Sequence, residues 1–450
     1  GARCSRAGRP GRGVARAATA LELEPALAAA GAFAVSMLAF ATDAVKKFGD
    51  TSVLRELIES RTDIRIVDSP PGARAEGDAT VLWHLKSDNV LRRLLAEGDL
   101  GLGESFMDGE WETDDHEGLI RELLKLEAVK RNPQELGVLG LPLLLGAVVG
   151  VLKWKLFPEN RLQDGWGAQS NIAAHYDRGG SEMYRRMLGP SMQYTCAYFH
   201  RPEMTLDEAQ RAKMDLIAQK LDLRPGMRVL EIGCGYGALA NYLASEYGVH
   251  VYGCTLSKDQ LEFAQDHFAH PNVEYRLQDY RLVEGKFDRV YSIGVFEHIG
   301  RNDYGTYFDK CFDCLTDDGI MLLHTIGFER SAEWNHNGFM NTYVFPGGEL
   351  PHPVHLAQDF GDRWHMEDWH SFGLSYAETL RQWWRNMRDF EGYSFEEYPE
   401  RFRRLWKHYL MCSAASFARR RTKLWQIVYT KLRSERPADL SHYVRSVKVS

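Results

Sequence analysis

The chain has 450 residues, of which 44% are hydrophobic and 26% charged, with a net charge of −7; that is enough apolar material for two or three domains, each with its own core. Its seven cysteines are odd in number and scattered, which excludes a disulfide-framed secreted scaffold and fits reduced thiols in a cytosol-like compartment. The charge is uneven, since residues 401–450 hold 13 Lys/Arg against 2 Asp/Glu: a solvated helical surface or, with Trp406, Tyr409, Phe417, Trp425 and Tyr429 interleaved, an anionic membrane surface, and no nucleic-acid-binding pattern accompanies it.

Residues 1–44 read as an extension. Five arginines and no acid occupy positions 1–21, and the apolar run ALAAAGAFAVSMLAFA (26–41) ends in the small-residue triplet Ala39, Phe40, Ala41, which imitates a targeting segment. Glu22 and Glu24 interrupt that order, so organelle targeting stays open. Residues 45–130 alternate short helical and strand-like runs, which predicts a small amino-terminal α+β domain. Within it GDLGLGESFMDGEWETDD (98–115) lacks the order of a calcium loop and reads as a turn-rich solvated surface. Residues 131–164 read as a linker, RNPQELG followed by the uncharged LGVLGLPLLLGAVVGVL (136–152). The latter is short for a bilayer span and broken by Pro142 and glycines, so a buried or interfacial segment is predicted.

From about residue 165 to 450 the rhythm is β-α-β. RVLEIGCG, HVYGCTLS, NVEYRLQD, FDRVYSIG and GIMLLHTIG are apolar or alternating runs separated by helical stretches, which predicts an α/β fold with a doubly wound parallel sheet and ligands beyond the carboxyl ends of its strands. EIGCGYG (231–237) closes the first strand and opens a helix, so Gly233, Gly235 and Gly237 let a ligand approach the backbone. The spacing is G-x-G-x-G and not the dinucleotide G-x-G-x-x-G, which points to S-adenosylmethionine. Asp279, after the third strand, reads as an acceptor for an adenine amino group or as a helix cap. Cys311 and Cys314 (CFDC) form a lone CxxC without a second pair or a His cluster, and packing on one helix is expected. SMQYTCAYF (191–199) sets Cys196 among aromatics without charge; its thiol could be a nucleophile, a metal ligand or packing.

QYTCAYF, VLEIGCGYG, GCTLSKDQ, LQDYR, SIGVFEHIG, LLHTIG, FPGGELP, EDWHSFG with Tyr376 beyond, and LWQIVY together resemble the cyclopropane fatty acid synthase family over roughly residues 50–435. These are class I, Rossmann-like methyltransferases that use S-adenosylmethionine to methylenate double bonds in phospholipid acyl chains. The resemblance implies that Tyr194 and Thr195 contact the cofactor's amino-acid end, Gly233 and Gly235 its backbone approach, Thr255 and Gln260 the ribose region, and Asp279 with Tyr280 the adenine. It implies that Glu297, His324 and Tyr376, with backbone from Cys196 and Ile326, hold a bicarbonate ion as base, so that Cys196 serves as an anion shelf; His298 reads as structural. It also implies a cytoplasmic enzyme, peripheral on the anionic surface of a phospholipid bilayer, acting on an unsaturated acyl chain; a homodimer is open. The chemistry needs such a base, because an alkene methylated by a sulfonium becomes a carbocation that must lose a proton to close a ring and must be kept from water. Plant amine N-methyltransferases share much of the pattern and give a rival reading, as does a lipid methyltransferase that leaves a methyl branch.

Overall fold

The structure is a computed structural model that describes residues 51–68, 81–127, 180–329, 338–358, 363–389, 398–432 and 434. The expectations for residues 1–44 and for the 131–164 linker with its apolar run lie outside the described residues. Among the described residues no helix is long and apolar enough to cross a membrane.

A three-stranded sheet comes first: β1 (Ile64–Val67), β2 (Val81–Leu85) and β3 (Trp111–Thr113), with β1 and β2 parallel and β3 antiparallel to β2. Trp83, Trp111, Ile58, Val90, Leu91 and Leu119 are fully buried around it. The stretch 98–115 departs from its expected solvated turns. Asp99–Met107 is a helix, and its glycines are there for close packing: a Cβ at Gly101 would lie 2.2 Å from the Arg93 carbonyl oxygen, and one at Gly103 would lie 2.2 Å from the Phe339 ring. Its acids are held rather than solvated, for the Arg93 guanidinium lies 3.0 Å from Glu104, 2.9 Å from Asp108 and 3.1 Å from Glu110.

The larger sheet contains β4 (Arg228–Ile232), β5 (His250–Thr255), β6 (Val273–Leu277), β7 (Phe287–Ile293), β8 (Leu315–Phe328), β9 (Trp364–Ser371) and β10 (Thr422–Lys431), in the order β6-β5-β4-β7-β8-β10-β9. The five strands read from the sequence are parallel neighbours. The two at the far edge are antiparallel, β10 to both β8 and β9, so the sheet is mostly and not wholly parallel. Alternation along β4 explains its place: Leu230 and Ile232 enter one apolar cluster and Val229 the cluster on the other face, as a strand covered on both sides requires. Strand order reverses beside β4, which opens a crevice at the carboxyl ends of β4 and its neighbours. The helix Leu206–Lys220, which packs on this sheet, starts at a capping box in which Thr205 Oγ1 accepts from the Glu208 amide and Glu208 Oε2 accepts from the Thr205 amide.

The two sheets are joined through the helix Glu400–Ala418. Arg401 pairs with Asp108 at 3.1 Å, Arg404 with Glu112, Arg419 with Glu122 at 3.6 Å, and Arg381 of the helix Gly373–Asp389 chelates Glu117 at 2.6 and 2.7 Å. Part of the basic end is therefore paired with acids around the small sheet. Beneath these pairs His116 Nε2 lies 2.9 Å from His408 Nδ1, and His408 Nε2 lies 3.4 Å from Cys412 Sγ. These are the only three described side chains that bring metal-type ligand atoms within 4.8 Å of one another. The contacts use opposite nitrogens of the His408 ring, so they form a chain of hydrogen bonds rather than a set converging on one ion. Burial drives the His116 pKa well below its ordinary value, with the neighbouring His408 adding to it, and takes His408 down to about 3.

Both imidazoles are thus neutral in the folded chain and take protons near their ordinary value of 6.5 once unfolded. Their depressed folded values make stability fall as pH drops below about 6.5, by up to about 1.4 kcal/mol per pH unit for each ring. Urea unfolding at about pH 7.5 and about pH 5.5 should show this loss, and His408→Leu, though less stable at the higher pH, should lose less on acidification. An unchanged pH dependence in that variant would refute the neutral chain.

Candidate active site

The crevice is walled by loops that leave β4, β5, β6 and β7, together with the segment 192–195. Of the residues expected to hold the cofactor, Tyr194, Thr195, Gly233, Gly235, Thr255, Gln260, Asp279 and Tyr280 line it, and Gly237 does not. The glycines differ in what they do. Gly235 has φ +52° and open space where a Cβ would project, so its backbone is bare toward the crevice. Gly237 caps the helix Ala238–Tyr247 with φ +88°, and a Cβ there would come within 2.7 Å of Ala264 and 2.8 Å of the Tyr275 hydroxyl. Its glycine is explained by helix geometry and packing alone.

At the end of β5, Thr255 Oγ1 donates to Gln260 Oε1 at 3.0 Å and accepts from the Ser257 amide at 3.2 Å, so the two side chains support one another across the turn. Asp279 both lines the crevice and caps the short turn after β6, accepting from the Arg281 amide at 2.9 Å and from the Arg281 guanidinium at 2.6–3.2 Å. Burial works against its charge, and the Arg281 bonds outweigh it, leaving the carboxyl below its usual range. Tyr280 packs against Tyr307, ring centres 5.7 Å apart.

The expected catalytic residues lie outside this lining. Pairing of β7 with β8 ends at Ile293 opposite His324, and the Gly294 amide bonds the His324 carbonyl at 2.9 Å. Glu297 follows in a short turn, and its Oε1 accepts from the Ile326 amide at 2.6 Å. Of the Ile326 backbone, expected to contribute to an anion site, the N–H is therefore engaged by Glu297. Glu297 Oε2 is buried without a partner among the described residues, and burial pushes the carboxyl up to about 7 against the opposing pull of the Ile326 amide. His324 Nδ1 lies 3.2 Å from Gln426 Nε2, and its Nε2 is likewise buried without a described partner. With the Gln426 amide donating, the proton of the neutral ring sits on Nε2; burial first, then Lys213 and Lys220, hold the ring neutral.

The Cys196 thiol donates to the Ala197 carbonyl at 3.1 Å, burial drives its pKa up, and it belongs to no metal-type cluster among the described residues. It is a protonated packing group, not a nucleophile. Its amide has no hydrogen-bond acceptor among the described residues. The next amide, Ala197 N–H, donates to Thr379 Oγ1 at 3.1 Å, three residues along the same helix from Tyr376. Tyr376 stacks on Phe417 at 4.5 Å, and Cys196, Tyr376 and, at the margin, Ile326 share one apolar cluster.

Sequence reasoning missed several polar groups. Lys213 and Gln210 are wholly buried and bond the segment 193–195; the available signal was their i, i+3 spacing on the apolar face of one helix. Glu231 lines the crevice, and burial raises its carboxyl to about 8 against the opposing pull of the Tyr291 hydroxyl and Lys213. His298, read as structural, also lines the crevice, where burial lowers it to about 4.

The sequence model of the mycolic acid cyclopropane synthetase family matches residues 165–427. The cyclopropane-fatty-acyl-phospholipid synthase of Escherichia coli K12 is 38% identical over 363 residues, covering 81% of this chain and 91% of that protein. Among solved structures, the cyclopropane synthase MmaA2 of Mycobacterium tuberculosis superposes with a TM-score of 0.54 at 31% identity, covering 58% of this chain and 97% of that one. The mycolic acid cyclopropane synthase CmaA1, complexed with SAH and CTAB, gives 0.52 at 33% identity over 58% and 97%. With the family model spanning more than half of the sequence and a relative of this identity spanning four fifths of it, the chain belongs to the mycolic acid cyclopropane synthetase family and is an S-adenosylmethionine-dependent methyltransferase.

Proposed function

We propose that this enzyme adds the methyl carbon of S-adenosylmethionine across the double bond of an unsaturated acyl chain in a phospholipid and closes a cyclopropane ring. The observation that carries the reading is two buried polar atoms outside the crevice lining, Glu297 Oε2 and His324 Nε2, each without a hydrogen-bond partner among the described residues. Polar atoms buried alone are costly, and here one is a carboxyl that is half protonated near neutrality and the other an N–H donor. Both suit a small anion, as does the Cys196 amide, which has no acceptor among the described residues. The similarity to the Escherichia coli phospholipid enzyme supports the substrate class.

In the reaction the alkene π pair bonds the methyl carbon while the carbon–sulfur pair leaves with sulfur. The resulting carbocation loses a proton from the new methyl group, and that C–H pair closes the ring. Glu297, His324 and the Cys196 amide would hold a bicarbonate ion, which when bound supplies the base for that proton. Glu297, kept in place by the Ile326 amide, donates or accepts a hydrogen bond according to its protonation. His324, kept neutral and oriented by Gln426, donates from Nε2. Tyr376, Phe417 and their neighbours exclude water that would otherwise capture the cation.

The reading is tested with S-adenosylmethionine and vesicles of a cis-monounsaturated phosphatidylglycerol. Mass spectrometry should find acyl chains heavier by one CH2 and lacking the alkene. A methyl-branched product would replace ring closure by another fate of the cation, and methylation of soluble amines with lipids untouched would sink the proposal.

Glu297→Gln should bind S-adenosylhomocysteine as the parent does, because Glu297 lies outside the crevice lining, yet lose turnover by about a hundredfold or more. Calorimetry paired with the lipid assay reads both; intact turnover would remove the carboxyl from the chemistry. Cys196→Ser should stay within about tenfold of parental turnover, since serine keeps the amide and can donate to the Ala197 carbonyl. Complete loss of activity with cofactor binding preserved would mean that sulfur itself is required.

A further inference from the structure

The helix Leu206–Lys220 sets two polar side chains with no solvent exposure, Gln210 and Lys213, under the wall of the crevice formed by residues 193–195. Gln210 Nε2 donates to the carbonyl oxygens of Gln193 at 3.3 Å and Thr195 at 2.9 Å, which fixes the backbone. Lys213 Nζ donates to Gln193 Oε1 at 2.7 Å and Thr195 Oγ1 at 2.8 Å, which fixes the side chains. An ammonium has donors only, so both oxygens must accept from it. What each side chain has left is a donor: the Gln193 amide nitrogen and the Thr195 hydroxyl hydrogen, neither of which has an acceptor among the described residues. Both residues line the crevice.

We propose that Lys213 is a positioning residue that sets the hydrogen-bond polarity of this wall, so that Gln193 and Thr195 both present donors to the carboxylate at the amino-acid end of the cofactor. The inference rests on the reading that this end lies at Tyr194 and Thr195. A lysine without any exposure is costly to retain, and burial lowers its pKa to about 7. A merely space-filling role would be met by an apolar side chain of the same length. Without Lys213, Gln193 Oε1 and Thr195 Oγ1 lose their donor, and either side chain can turn an acceptor toward the crevice, where it would repel a carboxylate.

Calorimetry at about pH 6, where Lys213 is charged, should compare S-adenosylhomocysteine with methylthioadenosine, which keeps the nucleoside and thioether and lacks the amino-acid end. Lys213→Met should weaken S-adenosylhomocysteine about ten- to a hundredfold and leave methylthioadenosine within about twofold. The KM for S-adenosylmethionine should rise more than kcat falls. Equal weakening of both ligands would show general damage to the crevice, and no weakening of either would show that Lys213 does not act on the ligand; each overturns the proposal. If Lys213→Met does not fold, Thr195→Val, which removes one of the two donors, decides by the same selectivity. Failure of both ligands to bind the unaltered chain would overturn the cofactor placement itself, whereas selective binding there with an unaltered profile in the variants overturns only the role of Lys213.

Discussion

A carboxyl group placed where a strand stops is the feature on which the rest of the site depends. β8 continues past the end of β7, whose last partner is Ile293 opposite His324. Beyond that pair the Ile326 amide would face the interior with no strand to accept from it. Glu297 takes the place of the missing strand, with Oε1 on that amide. One oxygen is thereby fixed to the sheet, and the other is buried without a hydrogen-bond partner among the described residues. The end of a parallel strand thus becomes a mount for a buried carboxyl, and the same end brings Gly294 and Val295 to the crevice wall.

The parallel strands were legible because strands buried on both faces read as apolar runs, and EIGCGYG announced a ligand-bearing turn by its spacing. The two antiparallel edge strands were harder. EDWHSFG is mixed in polarity, and β10 is buried along nearly its whole length, so neither shows a one-sided alternation. The helix Asp99–Met107 was missed because acids and glycines read as solvated turns, whereas Arg93 neutralises the acids and the glycines admit backbone and ring contacts. Gly237 sits in a motif whose other glycines line the crevice, and only the positions of Ala264 and Tyr275 reveal its different reason. The roles given to Glu297, His324 and Cys196 came from resemblance; periodicity alone cannot say which polar atoms will be left without partners. Lys213 offered only its i, i+3 spacing from Gln210 on one helix, which does not say what the two would bond.

The uneven charge of the sequence also has a structural meaning. Arg401, Arg404 and Arg419 meet Asp108, Glu112 and Glu122, and Arg381 meets Glu117, so acids of the small sheet and bases of the carboxyl-terminal region answer one another. Exposed ion pairs contribute little singly. These lie over a buried apolar seam that includes Phe106, Phe339 and the His116–His408–Cys412 chain, and they add register to an interface whose stability comes from burial.

That interface is not remote from the crevice, because the helix Glu400–Ala418 takes part in both. On one side it gives His408, Cys412 and Ala415 to the junction with the small sheet. On the other, the Tyr409 hydroxyl lies 2.9 Å from that of Tyr194 in the crevice wall, and Phe417 stacks on Tyr376. A rigid helix cannot shift at one face and stay fixed at the other. Packing of the small sheet's region against this helix therefore constrains where Tyr194 and Tyr376 stand, and a region with no residue in the crevice lining acquires a part in shaping it.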